Sequence, residues 1–173
     1  MLYALRQLLS VAILPFVVTV VIPLWIARGE RTTLSLGSTP LQLAAQALGV
    51  ASLALGLWLF GYSLLHVASR GRGTLAPWDP PRRLVVTGPY RYVRNPMISG
   101  VVFILFAESL LLLSTAHALW AAGFLAGNFV LIPLIEEPQL EARFGESYLE
   151  YKRHVGRLIP RFRPWNAPTP PDA

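Results

Sequence analysis

Two adjacent glutamates, Glu136 and Glu137, directly follow an apolar stretch at residues 118–135. At the C-terminal end of a helix, carboxylates oppose the helix dipole, which favours cations there, so local stability does not explain the pair. One interpretation is structural: the carboxylates are solvated at a membrane boundary or paired with Arg91 or Arg94. The other is chemical: they bind a cationic ligand, or one of them accepts a proton from an amine. The residues alone leave both interpretations open.

A second polar run, at residues 87–96, ends in Asn95-Pro96 directly before another apolar stretch. Asn95 is a favourable N-cap and Pro96 a favourable first helical residue, because the cap oxygen accepts an orphan N–H and proline has none to leave unpaired. The free N–H groups of such a helix start can receive an anionic group. Combined with the two glutamates, this arrangement would suit a zwitterionic ligand that carries an additional positive charge.

Four apolar stretches must position these polar residues, at 8–27, 41–67, 96–116 and 118–135. Each is close to the roughly 20 residues that a helix needs to cross a bilayer. Hydrophobic residues make up 54% of the 173 residues and charged residues 14%, a composition that favours a membrane protein over a soluble domain. We therefore predict an all-α integral membrane protein with about four transmembrane helices, which form a single domain over residues 1–173.

The first stretch is also where a signal peptide would lie. Its apolar run is too long, and Ala27-Arg28-Gly29 is a poor match to a cleavage site, so we expect a retained span. Arginine and lysine near the ends of spans favour the cytoplasmic side, and they concentrate in the connection at 68–95 and in the C-terminal segment. Four crossings then place both termini and both basic segments in the cytoplasm. This rule accounts for the net charge of +6, so nucleic-acid binding is not expected.

The third and fourth stretches are separated only by a turn around residues 116–118, so we predict an antiparallel helical hairpin. An equal helical rise along both arms places position 96 level with position 137. Asn95-Pro96 and Glu136-Glu137 should therefore meet at one depth, at the cytoplasmic ends of the two helices.

Residues 137–155 are predicted to form an amphipathic helix, because apolar residues recur there at steps of three or four. These residues are Leu140, Phe144, Tyr148, Tyr151 and Val155. Packing on the membrane surface explains Leu140 and Val155 at least as well as a ligand site does. Tyr148 and Tyr151 would lie over the site as well as at the interface. The proline-rich residues 164–173 lack an apolar run, which predicts a poorly ordered tail.

Several motifs, in order along roughly residues 41–164, resemble those of a family of integral membrane methyltransferases. This family includes isoprenylcysteine carboxyl methyltransferase and the phospholipid N-methyltransferases. The motifs are Gly88-Pro89-Tyr90-Arg91-Tyr92-Val93-Arg94-Asn95-Pro96, Gly100, the helical hairpin, Glu136-Glu137, Phe144-Gly145, Tyr148, Tyr151 and Ile159-Pro160-Arg161. The resemblance implies an S-adenosylmethionine-dependent enzyme whose cytoplasmic segments fold over the cofactor, while the acceptor enters sideways from the lipid.

The resemblance also implies roles for individual residues. The cofactor-binding residues would be Tyr92, Arg94, Asn95, Pro96, Gly100, Glu136, Glu137, Tyr148 and Tyr151. Glu136 and Glu137 are candidates for a catalytic base, and Arg161 is a candidate for orienting an anionic acceptor. The family more often has His at position 95 and Tyr at position 98, where this chain has Asn95 and Ile98.

Methyl transfer is an in-line attack that needs alignment and exclusion of water more than it needs a catalytic triad. A carboxylate or thiolate acceptor requires no strong base, whereas an amine must first lose a proton. We expect a lipid-like or apolar acceptor, such as a prenylcysteine-type carboxylate or a phospholipid amine, in contact with membrane lipids. The alternatives are a small thiol or amine as acceptor, or a non-catalytic binding or assembly protein on the same scaffold.

The remaining polar residues are predicted to be structural. Glu108, near the middle of the third span, is expected to be protonated and hydrogen-bonded to Asn128; the alternative is a role in contact with the substrate. His66 and His117 are expected at the membrane interface, and the three histidines, including His154, show no metal-binding spacing. The chain has no cysteine, which excludes disulfides, thiolate metal sites and cysteine nucleophiles. We therefore expect no metal.

Overall fold

The computed structural model describes residues 14–70 and 84–166, and all regular secondary structure in these two ranges is helical. The predicted all-α class is confirmed for this part of the chain. A π-helical turn at Val17–Val21 leads into the first α-helix, and a 3₁₀ turn occupies Gly88–Arg91. The α-helices are α1 (Ile22–Glu30), α2 (Pro40–Arg70), α3 (Pro96–Leu111), α4 (Thr115–Leu131), α5 (Glu137–Phe144) and α6 (Glu146–His154).

Two helices in the described ranges are long and apolar enough to cross a membrane. These are the 28-residue part of α2 at Pro40–Val67 and the 30-residue helix Thr115–Phe144, in which α4 and α5 are continuous. Only 22% and 11% of their most apolar stretches are buried inside the protein. Helix α3 is apolar but has 16 residues. Part of the first predicted span, and residues 71–83 of the predicted connection, lie outside the described residues.

Helices α2 and α3 cross at a point where both carry glycine. A Cβ on Gly56 would lie 2.8 Å from the carbonyl oxygen of Gly100, and a Cβ on Gly100 would lie 2.9 Å from that of Gly56. Neither position can accept a larger side chain without moving the helices apart. The Ser52 hydroxyl donates to the Phe103 carbonyl at 2.8 Å across the same interface. Small residues and interhelical hydrogen bonds of this kind are typical of helix packing in membranes.

The predicted hairpin of α3 and α4 is confirmed, but its turn lies at residues 112–114 and not around residues 116–118 as predicted, because α4 already begins at Thr115. Ser114 caps α4, because its hydroxyl accepts from the backbone N–H of His117 at 3.3 Å. At the other end of the long helix, a π-helical turn at Ile132–Glu136 joins α4 to α5. The backbone N–H of Glu137 donates to the carbonyl of Ile132, five residues back. Pro133 and Pro138 lack the N–H groups that a regular α-helix would use here, which accounts for the wider turn.

The structure contradicts one prediction about buried polar residues, the hydrogen bond between Glu108 and Asn128. Asn128 does not bond Glu108: its side-chain amide donates to the carbonyl of Phe124 at 2.8 Å. Glu108 Oε2 is buried and has no hydrogen-bond partner among the described residues. His117 lies in the first turn of α4 and is buried inside the protein, with 1% exposed, and its position at a membrane interface stays a prediction. The Nε2 atom of His117 donates to the carbonyl of Pro23 at 3.1 Å. Its Nδ1 lies 2.8 Å from the Ser114 hydroxyl. The same hydroxyl lies 2.7 Å from a carboxylate oxygen of Glu30.

The predicted continuous amphipathic helix over 137–155 is wrong in one respect, because the chain breaks at Gly145. This glycine has φ 56° and ψ −135°, a conformation that L side chains rarely adopt, and it separates α5 from α6. The predicted apolar face is nevertheless correct. Tyr148, Tyr151 and Val155 form a buried cluster. The partly buried residues packed against it are Leu84, Val86, Leu140, Phe144 and Trp165.

The predicted tail at 164–173 is wrong for its first residues. Trp165 packs against Tyr151 and stacks on His154, with ring centroids 5.7 and 5.3 Å apart. Its backbone N–H donates to the carbonyl of Arg91 at 2.9 Å. Residues 167–173 lie outside the described residues.

Candidate active site

Glu137 lies at the centre of a buried ionic cluster. One carboxylate oxygen lies 2.9 Å from Arg94 Nη1 and 2.8 Å from Arg157 Nε, and the other lies 2.8 Å from Lys152 Nζ. Only 3% of the Glu137 side chain is exposed. Burial of a charge is tolerated where such partners surround it. The structural interpretation of this glutamate, a pair with Arg94, is therefore correct, and the carboxylate is occupied on both oxygens.

Glu136 lies in a different environment from its neighbour. Its side chain is exposed, and in the described ranges no cation lies within 4.0 Å of its carboxylate. It acts electrostatically on Tyr90, whose pKa is raised by burial and, to a smaller extent, by this carboxylate. Because successive helical residues point in different directions, one glutamate enters the ionic cluster and the other is left available for a ligand.

Arg94 connects the cluster to the tyrosines of α6. Its Nη1 donates to the Tyr148 hydroxyl at 3.1 Å as well as to Glu137, and its Nε donates to the carbonyl of Val155 at 2.8 Å. Burial raises the pKa of Tyr148, an effect that the nearby Arg94 opposes. The Tyr151 hydroxyl donates to the Tyr90 carbonyl at 2.6 Å, and burial raises the pKa of Tyr151. Both tyrosines are thus neutral, buried parts of the framework under the site.

The segment after α6, residues 156–165, pairs with the run before α3, and we call it the C-terminal hook. Four backbone N–H groups form the hydrogen bonds, at 2.8 to 3.1 Å. The donor and acceptor pairs are Arg94 to Gly156, Asn95 to Arg157, Arg161 to Tyr92, and Trp165 to Arg91. The Arg161 guanidinium donates to the carbonyl of His154 at 2.7 Å. The hook therefore brings Arg161 beside Tyr92, although the two are far apart in sequence.

The start of α3 follows the sequence prediction except at its cap. Pro96 is the first helical residue and is buried, but the Asn95 side chain makes no capping hydrogen bond. The Asn95 carbonyl accepts from both the backbone N–H and the hydroxyl of Ser99. Gly100, one turn further, faces α2 at the glycine crossing. Packing therefore explains Gly100 by itself, and its contact with a cofactor stays a prediction.

The structure thus brings most of the predicted site residues into one region. They are Tyr92, Arg94, Asn95, Pro96, Glu136, Glu137, Tyr148, Tyr151 and Arg161. Lys152 and Arg157, which contact Glu137, were not among the predicted site residues. Their signal in the sequence is weak, because basic residues in this segment also satisfy the membrane charge rule.

A cleft of about 540 Å³ lies beside the 3₁₀ turn at Gly88–Arg91. Its lining residues are Tyr62, His66, Val86, Thr87, Gly88, Arg91 and Asn166. Thr87 Oγ1 is buried and has no hydrogen-bond partner in the part of the chain that the structure describes. Gly88 has φ 57°, a backbone conformation that favours glycine, and a Cβ there would meet the His66 side chain, which would have to move. This cleft was not predicted from the sequence.

Comparison with known proteins gives the family. The family model described as phospholipid methyltransferase matches residues 44–147. A methanethiol S-methyltransferase of Mycobacterium tuberculosis is 36% identical over 103 residues, which are 59% of this chain and 38% of that protein. A methanethiol S-methyltransferase 2 of Bradyrhizobium diazoefficiens is 34% identical over 73 residues, 42% of this chain and 27% of that protein. No solved structure matches.

The chain spans less than half the length of these two relatives. The matched region nevertheless contains the α2–α3 crossing, the hairpin, Arg94 and both glutamates. The predicted resemblance is confirmed, because the matching family model and both relatives are described as methyltransferases. The family model covers more than half of the chain, and the chain therefore belongs to the phospholipid methyltransferase family.

Proposed function

We propose that the chain is a multi-pass integral membrane enzyme that transfers a methyl group from S-adenosylmethionine to an apolar acceptor at the cytoplasmic face. The observation that carries the proposal is the contact of Arg94 with Glu137, which joins the two polar motifs while Glu136 stays unpaired beside them. The uncovered apolar faces of α2 and Thr115–Phe144 support residence in lipid. Helix α3 and the helix that ends at Glu30 would supply the other two of four crossings.

Two observations support a fit to the cofactor. Glu136 offers an exposed carboxylate, without an ion pair in the described ranges, to the positively charged groups of S-adenosylmethionine. The buried Thr87 hydroxyl offers an unused polar group beside a cleft of about 540 Å³. When bound, the cofactor supplies an electrophilic methyl group on a sulfonium centre. No metal is part of the proposal, and no group of metal-binding side chains occurs in the described ranges.

The chain's own residues would then position the ligand and handle the proton. Glu137 holds Arg94, Lys152 and Arg157 in place, so we assign it a positioning role. Glu136 is the better candidate for a base, because its carboxylate is not occupied by cations. Arg161 uses one guanidinium N–H on the His154 carbonyl and keeps the others for an anionic acceptor such as a carboxylate.

A small thiol is the second candidate acceptor, favoured by the names of the two relatives. A thiol with an ordinary pKa of about 8.5 loses its proton more readily than an ammonium group near 10.4, so it makes smaller demands on Glu136. A lipid-like carboxylate or amine remains the alternative. Assays with methyl-labelled S-adenosylmethionine should offer methanethiol, a prenylcysteine and phosphatidylethanolamine separately. Label in a volatile sulfide would support the thiol, and label extracted with lipid would support the lipid-like acceptor.

Glu136→Gln tests the cofactor site directly. Loss of a hydrogen bond to a charged group costs about 1.5 to 3 kcal/mol, so we expect S-adenosylhomocysteine to bind about 10- to 150-fold more weakly by isothermal titration. Glu146→Gln is the matched control, because its side chain is 73% exposed on α6 and should leave binding unchanged. Wild-type affinity in Glu136→Gln would show that this carboxylate does not contact the cofactor.

A further inference from the structure

The C-terminal hook presents two large apolar side chains to the outside of the protein. Ile159 is 78% exposed and Phe162 is fully exposed. They are separated by Pro160 and Arg161 and are followed by Arg163, so apolar and cationic side chains alternate along a short surface segment. A fully exposed phenylalanine in a well-anchored segment requires an explanation, because its apolar area is stabilised by removal from water.

The hook is held in a fixed position relative to the helices. Its four backbone hydrogen bonds to residues 91–95 occur at both ends and in the middle of the segment. The ion pair of Arg157 with Glu137 and the packing of Trp165 on Tyr151 add side-chain anchors. The exposure of Phe162 therefore follows from the fold of the hook.

The hook also lies at the boundary of the apolar helices. The Asn95 N–H donates to the carbonyl of Arg157, and Asn95 directly precedes the first residue of the apolar helix α3. Glu137, which contacts Arg157, follows the apolar part of the helix Thr115–Phe144. If these helices lie in a bilayer, as the proposed function requires, the hook begins at the level where hydrocarbon gives way to headgroups.

The C-terminal hook carries positive charge and contains no Asp or Glu. Its cations are Arg157, Arg161 and Arg163. Arg157 is paired with Glu137, whereas in the described ranges no carboxylate lies within 4.0 Å of the Arg161 or Arg163 guanidinium. A segment that pairs apolar side chains with arginines at a membrane boundary matches the chemistry of an anionic leaflet, in which the rings enter the interface and the guanidinium groups meet phosphates.

We propose that the C-terminal hook is a membrane-docking element that inserts Ile159 and Phe162 into the interface of the adjacent leaflet and binds anionic lipid headgroups through Arg163 and its neighbours. The inference rests on membrane residence and needs no particular cofactor or acceptor. The hook is hydrogen-bonded to Tyr92, Arg94 and Asn95. Binding of the hook to the membrane surface would therefore also hold residues 92–95, which belong to the candidate site, in position. The enzyme would then depend on the lipid composition of the leaflet it faces.

The absence of native cysteine makes a direct test possible, since a single introduced cysteine is the only labelling site. The full chain, with one copy per lipid nanodisc, carries a bimane label at Phe162→Cys or at Ile159→Cys. Glu146→Cys is the control, because its side chain is exposed on a different element, α6. Quenching is measured with brominated lipids and with aqueous iodide, in phosphatidylcholine alone and with added phosphatidylglycerol. Melting curves confirm that each labelled protein is folded.

We expect brominated lipid to quench both hook labels at least threefold more than the control label, and iodide to quench them less. Phosphatidylglycerol should increase the lipid quenching, and Arg163→Gln should reduce that increase, since each cation near an anionic surface is worth about fivefold in binding. Equal iodide quenching at positions 162 and 146 would overturn the proposal. So would protection from both quenchers, which would mean that protein covers the hook. If quenching by brominated lipid is the same with and without phosphatidylglycerol, the assignment of anionic lipid as the ligand is wrong.

Discussion

Replacement of Glu137 by glutamine tests whether the ionic cluster is the framework of the candidate site. The substitution keeps the shape of the side chain and removes the negative charge from the centre of three cations. Breaking a buried ion pair by removing one partner costs about 3 to 5 kcal/mol, because the remaining charge stays buried without compensation. Here 9% of the Arg94 side chain is exposed but 36% of Lys152, so water can reach part of the cluster. We therefore expect a loss near the lower limit, about 3 kcal/mol.

For a chain of this size, about 3 kcal/mol lowers the melting temperature by roughly 6 to 12 °C. Tryptophan fluorescence during heating of the detergent-solubilised protein would measure the shift, with Glu146→Gln as the exposed control. A double-mutant cycle with Arg157→Gln should be strongly non-additive, since both changes remove the same 2.8 Å contact. A Glu137→Gln melting temperature equal to that of the control would refute the reasoning, as would simple additivity in the cycle.

Three further outcomes are expected. Gly100→Ala should lower the melting temperature, because a Cβ there would meet the Gly56 carbonyl oxygen at 2.9 Å. Gly123→Ala is the control: its Cβ would have no neighbour within 4 Å, so the change should be neutral or stabilising. Equal melting temperatures for the two variants would contradict close packing at the α2–α3 crossing. Gly145→Ala should cost about 1 to 3 kcal/mol in denaturant unfolding, because φ is 56° and ψ is −135° there, a combination that L side chains rarely adopt. An unchanged midpoint would argue against the break. The hydrogen bond to Glu137, followed by that to Glu141, raises the pKa of Lys152 above 10.5 in the folded protein. The stability from these contacts should be present below pH 10.5 and lost as the pH rises through the raised value, so the alkaline decline should be smaller in Lys152→Gln than in the wild type.

The contact between the two polar motifs could be predicted from the sequence, because a short hairpin leaves little freedom in register. A turn of a few residues limits which positions can face each other. The turn lies about four residues earlier than predicted, and the long Arg94 side chain nevertheless contacts Glu137. The apolar face of residues 140–155 could also be predicted, because its residues, spaced by three or four positions, pack together on both sides of the break at Gly145. Both inferences depend on local geometry, which a single sequence carries well.

The different environments of the two glutamates, Glu137 buried in ion pairs and Glu136 exposed, could not be predicted. They depend on the π-helical turn at Ile132–Glu136, which rotates the following residues, and on a hook that returns Arg157 from twenty positions away. Prolines such as Pro133 and Pro138 favour an irregular helix, but they do not specify where the next side chain points. The partner predicted for Glu108 failed because Asn128 bonds its own helix instead.

The hydrogen-bonded chain at the opposite end of the bundle joins the start of α4 to both ends of α1. A carbonyl can only accept, so His117 donates through Nε2 to Pro23, the second residue of α1. Ser114, which caps α4, donates to the carboxylate of Glu30, the last residue of α1. Helix α1 therefore cannot slide or turn against α4 without breaking at least one of these hydrogen bonds.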